Sequence, residues 1–238
     1  EASSISIKDL ENAQMRYVEL LIKQISTTGK KVLDVGCGMG GLSNILFEKG
    51  FQVESLTPDN NQKNYITSKY EQLKVHHMKF EDFKSENEFN TVINSESLQY
   101  INLDKAFDLV SQILSKNGRW IIVDYFRIND NGINKSGHLH EDFLNRIEQK
   151  GWKIVYEQDI TKNALPTLKF AMVFINRFIK PLASFANAKL KNKKAWLFYL
   201  TDKLRESMSK KSNKELAALD PEKFIKEKKY ILYVLERK

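Results

Sequence analysis

A short apolar run, residues 31–36 (KVLDVG), leads directly into a turn with three glycines in five positions. The run lacks a strict apolar–polar alternation, which is typical of a strand that is buried on both faces. Gly36, Gly38 and Gly40 allow backbone torsions that a Cβ would forbid, and they let a ligand approach the main chain closely. A helical pattern over residues 40–50 follows at once. This unit predicts a parallel α/β sheet with a ligand site at the carboxyl end of its first strand.

Strands and helices alternate along the rest of the chain, which predicts βαβ units and a doubly wound, Rossmann-like sheet. A helix over 9–25 precedes the first strand. Further strands are predicted at 51–57, 74–80, 89–96, 119–126 and 152–158, with helices at 60–72, 103–114 and 141–150. The last strand, 230–236, must return to the sheet, and we expect it to be antiparallel in an otherwise mostly parallel sheet. The predicted domains are therefore a core of 1–161 and 227–238 and an inserted helical cap of 162–226.

The charge is unevenly distributed over the 238 residues, whose net charge is +8. Residues 1–150 hold 18 Lys and Arg against 21 Asp and Glu, whereas residues 151–238 hold 20 against 9. A basic C-terminal part points to an anionic partner, although a lysine-rich solvated surface is an equal alternative. The cap places basic residues beside apolar ones at 196–200: Lys189, Lys191, Lys193, Lys194, Lys203, Lys210, Lys211 and Lys214. Such interleaving suits a membrane surface, a lipid phosphate or an acidic carrier protein.

The segment Asp34-Val35-Gly36-Cys37-Gly38-Met39-Gly40 resembles the first motif of class I S-adenosylmethionine (SAM)-dependent methyltransferases, an acid followed by G-x-G-x-G. An NAD site is the weaker alternative, because it predicts the glycines without the preceding acid. The resemblance implies SAM as cofactor and S-adenosylhomocysteine as product. The family usually has an acidic ribose ligand after the second strand. Thr57 stands there instead, so Asp59, with Gln62 nearby, is our expected ribose ligand.

The resemblance continues beyond the second strand. Residues 81–83 (EDF) resemble the acidic–aromatic stretch that caps the adenine, with Asp82 as the expected acceptor from the exocyclic amine. The complete set of expected cofactor-binding residues is Tyr17, Asp34, Gly36, Gly38, Gly40, Thr57, Asp59, Gln62, Glu81, Asp82 and Ser95.

The segment after the fourth strand, 94–101 (NSESLQYI), distinguishes between acceptor classes. Enzymes that methylate an exocyclic amine of a nucleic-acid base typically carry Asn/Asp-Pro-Pro-aromatic there, and this segment has no proline. Protein arginine methyltransferases need two glutamates at this level, and only Glu96 is present. The expected acceptor is an O, N or C atom of a small, hydrophobic or anionic molecule, lipid-like or carrier-bound. DNA is excluded as a partner, and RNA is disfavoured. The alternatives are an RNA-directed methyltransferase that uses the basic cap and a catalytically silent SAM-binding protein.

Candidate catalytic bases lie in the loop after the fifth strand. In this fold, that loop should face the methyl group of the cofactor. His138 and His140 have the side chain whose ordinary pKa of about 6.5 suits proton transfer near neutrality. Tyr100, Tyr125 and Phe126 are the expected acceptor-binding residues. No metal site is expected, because the two histidines have no identifiable third partner.

Composition indicates a cytoplasmic protein. The one cysteine, Cys37, excludes an internal disulfide framework and suits a reducing compartment. No run approaches the roughly 18 uninterrupted apolar residues of a membrane span, and no signal-peptide pattern opens the sequence.

Overall fold

The computed structural model describes residues 7–86, 88–130, 136–182, 184–185, 189 and 220–238. Seven strands form one sheet: β1 (Lys31–Val35), β2 (Gln52–Thr57), β3 (Lys74–His77), β4 (Phe89–Ser95), β5 (Leu114–Arg127), β6 (Trp152–Asp159) and β7 (Lys228–Arg237). The helices are α1 (Ile7–Ile22), α2 (Gly41–Glu48), α3 (Asn60–Lys69), α4 (Leu103–Ile113), α5 (His140–Gln149), α6 (Thr161–Phe174) and α7 (Pro221–Glu227). A π-helical turn, Ile175–Ile179, continues α6.

The strand order is β3-β2-β1-β4-β5-β7-β6. Neighbouring strands from β3 to β5 pair in parallel, whereas β7 pairs antiparallel with both β5 and β6. The predicted mostly parallel α/β sheet with an antiparallel last strand is confirmed. The carboxyl ends of β1, β2, β4 and β5 therefore meet at one edge, where a doubly wound sheet binds its ligands.

Two apolar layers cover the sheet. On one face, Leu21 of α1, Leu46 of α2 and Phe224 of α7 pack with Ile121 and Leu232 of the central strands. On the other face, Phe107 of α4 and Phe143 of α5 pack with alternate residues of the same strands: Trp120, Ile122, Phe126, Tyr233 and Leu235. Because both faces of β5 and β7 are covered, these strands are apolar in nearly continuous runs.

Several element ends differ from the predicted ones. The helices α1 and α3 end at Ile22 and Lys69, earlier than predicted, and β3 ends at His77, where its partner strand β2 also ends, at Thr57. The strand β5 begins at Leu114, before the predicted start, because Leu114 already pairs with Phe89. The register shifts between Phe89, which pairs with Leu114, and Thr91, which pairs with Arg119, so residues 115–118 of β5 are the extra residues at this irregularity.

The structure describes only the two ends of the predicted cap, 162–226: α6 with its extension, and α7. The lysines at 191, 193, 194, 203, 210, 211 and 214, and the apolar cluster at 196–200, lie outside the described residues. Among the described residues, no helix is both long and apolar enough to cross a membrane.

Candidate active site

The glycine turn lies at the carboxyl end of β1. Its three glycines all have positive φ angles: 73° at Gly36, 55° at Gly38 and 79° at Gly40. A Cβ at Gly36 would lie 2.4 Å from the Cβ of Ser97, and one at Gly40 would lie 3.0 Å from Ile66. A Cβ at Gly38 would meet nothing within 4 Å. Packing therefore fixes the outer two glycines, whereas the central one borders open space that a ligand can fill.

A buried hydrogen-bonded chain supports this turn from below. Ser43 Oγ donates to Asp34 Oδ2 at 2.6 Å, and Ser55 Oγ donates to Ser43 Oγ at 2.9 Å. Asp34 is 1% exposed, and this burial raises its pKa to about 6, although the Ser43 bond opposes the rise. Asp34 thus links β1 to α2 and β2 beneath the turn. Its contact with a cofactor stays a prediction.

Thr57, Asp59 and Gln62 lie together where β2 passes into α3. Thr57 Oγ1 donates to Gln62 Oε1 at 2.6 Å, and the Asp59 backbone N–H donates to Thr57 Oγ1 at 3.2 Å. Asp59 is also the N-cap of α3, since its Oδ1 accepts from the backbone N–H groups of Asn61 at 2.7 Å and Gln62 at 3.1 Å. The Asp59 carboxylate therefore has a structural task besides its predicted role as a ribose ligand.

Glu81 and Asp82 lie in a 3-10 turn, Phe80–Asp82, that follows β3. A Glu81 carboxylate oxygen accepts from the backbone N–H of Asn102 at 3.5 Å. Phe80 and Phe83 are buried on either side, and Asp82 is exposed. Of the two acids, Asp82 is therefore the one turned to solvent, as its predicted contact with an adenine amine requires.

Tyrosines and a glutamate converge at the carboxyl ends of β4 and β5. The Tyr17 hydroxyl of α1 is hydrogen-bonded to Ser95 Oγ at 2.6 Å. The Tyr230 hydroxyl donates to Glu96 Oε1 at 2.7 Å. The Tyr125 ring stacks on that of Tyr230, with centroids 4.4 Å apart and planes inclined by 21°. We call Tyr17, Ser95, Glu96, Tyr125 and Tyr230 the tyrosine–glutamate cluster.

Burial dominates the electrostatics of this cluster. It raises the pKa of Tyr17, Tyr125 and Tyr230 well above the ordinary phenol value, and the Glu96 charge raises all three further. A phenol of ordinary pKa, about 10, is already neutral near pH 7, and burial moves the ionisation of these three still further from neutrality. Neutral aromatic rings beside a carboxylate are groups that stabilise a positively charged ligand.

Glu96 has the one positive φ among the described non-glycine residues, 57°. Its backbone N–H donates to Val123 O at 2.8 Å, just beyond the last residue of β4. A left-handed torsion costs about 1–2 kcal/mol in a residue with a Cβ. Such torsions often mark functional positions, and this one occurs where the Glu96 carboxylate meets Tyr230.

Asp124 supports the cluster from within β5. It is 1% exposed, and its two oxygens accept from the backbone N–H groups of Gln99, at 2.9 Å, and Tyr125, at 2.8 Å. Burial raises its pKa to about 7, with a smaller contribution from Glu96, while the backbone bonds oppose the rise. Asp124 thus ties the turn Leu98–Tyr100 to β5.

Three of these residues were missed in the sequence as site residues. Asp124 had a signal, because an acid within the apolar run 120–126 must be buried and therefore needs partners. For Glu96 the signal was its position at the end of a predicted strand, at the edge of the sheet where ligands bind. Tyr230 had none, because it reaches the site only through the pairing of Tyr230 with Tyr125 between β7 and β5.

The structure does not bring the two histidines to the cluster. His140 Nε2 is bonded to the Tyr233 hydroxyl at 2.7 Å, on the sheet face opposite Tyr230, and its pKa is lowered by burial and then by Lys229. His138 Nε2 is bonded to Leu98 O at 2.9 Å and borders a separate polar cavity of about 400 Å³. Among the described residues, no group of three His, Cys, Asp or Glu side chains could hold a metal ion.

The three expected acceptor residues also separate. Tyr125 belongs to the cluster. Phe126 is 1% exposed and points to the opposite face, where its ring packs against Phe143 with centroids 4.6 Å apart. Tyr100 is 79% exposed. Tyr125 is therefore the one of the three that the structure places beside Tyr230.

Known proteins share this architecture. Two curated relatives are an uncharacterized methyltransferase of Staphylococcus carnosus (strain TM300), 25% identical over 113 residues, and the sterol 4-C-methyltransferase strm-1 of Caenorhabditis elegans, 27% identical over 128 residues. These alignments span 46% and 49% of the chain but only 54% and 36% of the two relatives.

Solved structures match over nearly the whole chain at low identity. Geranyl diphosphate C-methyltransferase from Streptomyces coelicolor A3(2), crystallised with Mg²⁺, geranyl diphosphate and S-adenosylhomocysteine, has a TM-score of 0.68 and 16% identity, covering 98% of this chain and 83% of its own. The mycolic acid cyclopropane synthase CmaA1, crystallised with S-adenosylhomocysteine and CTAB, has a TM-score of 0.66 and 15% identity, covering 96% and 85%.

A family model extends the agreement to the sequence itself. The model of mycolic acid cyclopropane synthetase matches residues 5–167, which include every element from α1 to β6. Together the comparisons confirm the resemblance to class I SAM-dependent methyltransferases. Since the match spans well over half of the sequence, the chain belongs to the mycolic acid cyclopropane synthetase family.

Proposed function

We propose that this chain transfers a methyl group from SAM to an O, N or C atom of a small, hydrophobic or anionic, lipid-like acceptor. One observation carries the proposal: the open position at Gly38 and the tyrosine–glutamate cluster lie at the same edge of the sheet, at the ends of neighbouring strands. The family match supports it.

The residues at this edge fit the cofactor. At Gly38 the backbone borders open space, which a ligand could fill and into which a Cβ would project. Asp59 and Gln62 would hold the ribose hydroxyls, and Asp82 would accept from the adenine amine. Ser95 and Tyr17 would lie at the methionine end, because they come from β4 and α1 beside the glycine turn. When bound, SAM supplies a methyl group that is already activated on a sulfonium.

The chain itself would mainly position and stabilise. The positive charge of the SAM sulfonium would be stabilised by the Tyr125 and Tyr230 rings and by the Glu96 carboxylate. The two rings would also exclude water from it. Where the acceptor is a hydroxyl, Glu96 is better placed than either histidine to accept its proton, since it lies among the cluster residues. His138 and His140 stay predictions as bases.

A lipid-like acceptor is supported by the names of similar proteins. The C. elegans relative is named as a sterol methyltransferase, and the two solved structures contain geranyl diphosphate or belong to a cyclopropane synthase. The first half of α6 packs apolar side chains, Ala164, Leu165 and Leu168, on the layer that includes Tyr125 and Tyr230, which provides apolar surface beside the cluster. The RNA-directed and catalytically silent alternatives gain no support from these matches.

A transfer assay tests the acceptor class. The chain is incubated with methyl-labelled SAM and, separately, with a lipid extract, water-soluble metabolites, total RNA and acidic carrier proteins, with the Gly38→Val variant as background. We expect label in the fraction that organic solvent extracts. Label in RNA alone would support the RNA-directed alternative, and label in no fraction by a chain that binds SAM would support the silent one.

A further inference from the structure

A row of large apolar side chains lies exposed on the helix that continues α6. Phe174 is 46% exposed, Phe178 55%, Leu182 66% and Phe185 66%. They follow one another at spacings of four, four and three residues, and the Phe174 and Phe178 rings lie 5.3 Å apart. We call these four residues the apolar stripe. Contiguous exposed apolar surface of this kind usually marks an interaction site.

The helix that leads into the stripe begins beside Tyr230 of the tyrosine–glutamate cluster. At the start of the same helix, the Tyr230 backbone N–H donates to Thr161 Oγ1 at 2.9 Å. Leu165 and Leu168 then pack on the apolar layer that includes Tyr125 and Tyr230. The first turns of α6 thus pack beside Tyr230, and the stripe begins at its last residue, Phe174.

The charge around the stripe has one sign. Residues 160–201 contain eight Lys and Arg and no Asp or Glu. Four of them lie along the described part of the helix and are exposed, as is Lys189: Lys162, Lys169, Arg177 and Lys180. The surface therefore complements a partner that is both anionic and apolar. Aromatic and aliphatic side chains beside basic ones are the pattern of helices that lie in the interface of an anionic bilayer.

We propose that the apolar stripe docks this chain on the surface of a bilayer that contains anionic lipids. The stripe enters the boundary between headgroups and acyl chains, and the basic residues contact the phosphates. The proposal rests on the proposed function in one respect: docking brings the mouth of the site, beside α6, to a lipid-like acceptor held in the bilayer.

Vesicle flotation tests the docking with the full chain. We expect it to float with phosphatidylcholine vesicles that contain phosphatidylglycerol, and to float less with pure phosphatidylcholine or in high salt. The double variant Phe178→Ser, Leu182→Ser should weaken binding about tenfold or more, because two large apolar side chains leave the bilayer. The matched control is Phe47→Ser, which removes a side chain of similar exposure, 40%, from α2. It should bind vesicles like the wild type.

Three results would overturn the docking proposal. In the first, the wild type binds neither kind of vesicle. In the second, the double variant binds vesicles as well as the wild type does. In the third, the double variant converts a dimer to a monomer or loses a carrier-protein partner without any vesicle binding. S-adenosylhomocysteine affinity, measured by calorimetry on the same samples, separates the two proposals. If the wild type binds S-adenosylhomocysteine but no vesicles, only the docking proposal is wrong. If the wild type does not bind S-adenosylhomocysteine, the proposed function is wrong.

Discussion

At the residue scale, Glu96 has both an unusual backbone torsion and a charged side chain in the candidate active site. A left-handed torsion follows β4 there, and the carboxylate accepts from the Tyr230 hydroxyl among neutral phenols whose pKa burial raises further. A negative charge held by neutral rings favours a cation at this point over a neutral ligand of the same shape. SAM and S-adenosylhomocysteine form such a pair, since only SAM carries the sulfonium charge.

The Glu96→Gln variant tests this role without knowledge of the acceptor. The glutamine amide oxygen still accepts from Tyr230, while the charge is lost. We expect SAM affinity to fall about tenfold and S-adenosylhomocysteine affinity to stay unchanged, as measured by calorimetry. Glu81→Gln, which removes a carboxylate after β3, should leave the ratio of the two affinities unaltered. Equal losses for both ligands in Glu96→Gln would mean that the carboxylate shapes the site without sensing the methyl donor's charge.

Individual residues differ in how far the sequence can place them. The glycine turn was predictable, because spacing and strand context are local properties of 31–41. The histidines at 138 and 140 were candidates by chemistry, but burial against Tyr233 and a bond to Leu98 O hold them elsewhere. Tyr230 depends on strand pairing across more than a hundred residues, which no local pattern encodes.

At the element scale, β1, α2 and β2 are joined by the chain Asp34–Ser43–Ser55. The pKa of Asp34 rises to about 6 on folding, so the folded state holds a proton that the unfolded chain has released between about pH 4 and 6. The stability due to this proton is fully present below the unfolded pKa and is lost as pH rises through the folded one.

The Asp34→Asn variant exposes this dependence. Its amide does not titrate, so its unfolding free energy should lack the decline that Asp34 causes between about pH 4 and 6, on the order of 2–3 kcal/mol. Urea unfolding of both proteins at several pH values measures the difference. Parallel curves over this range would show that Asp34 titrates normally in the folded chain.

The order and type of the elements followed from sequence, but some limits did not. The predicted β5 covered only its apolar part, because the polar residues before 119 carry no strand signal. The place of β7 between β5 and β6 is a property of the assembled sheet. Hydrophobic pattern marks a buried strand, and long-range pairing decides its neighbours.

At the scale of the whole molecule, the candidate site residues lie at one edge of the sheet, and the proposed docking surface lies on the helix that continues α6. The edge formed by the carboxyl ends of β2, β1, β4 and β5 gathers the glycine turn, the N-cap of α3 and the tyrosine–glutamate cluster. The helix α6 packs on the apolar layer that includes Tyr125 and Tyr230, and it leads into the apolar stripe. The proposed function puts the cofactor at this edge and the acceptor beside the first turns of α6.

The central claim is that the glycine turn binds the cofactor, and calorimetric titration with S-adenosylhomocysteine tests it most directly. Two variants form a matched pair, since Gly38 and Gly151 have φ angles of 55° and 71° and a Cβ at either would meet nothing within 4 Å. Each valine should therefore cost similar strain, roughly 1–2 kcal/mol of stability. We expect Gly38→Val to lose binding and Gly151→Val, at the opposite sheet edge, to bind as the wild type does. A folded Gly38→Val protein with unaltered affinity would contradict the account.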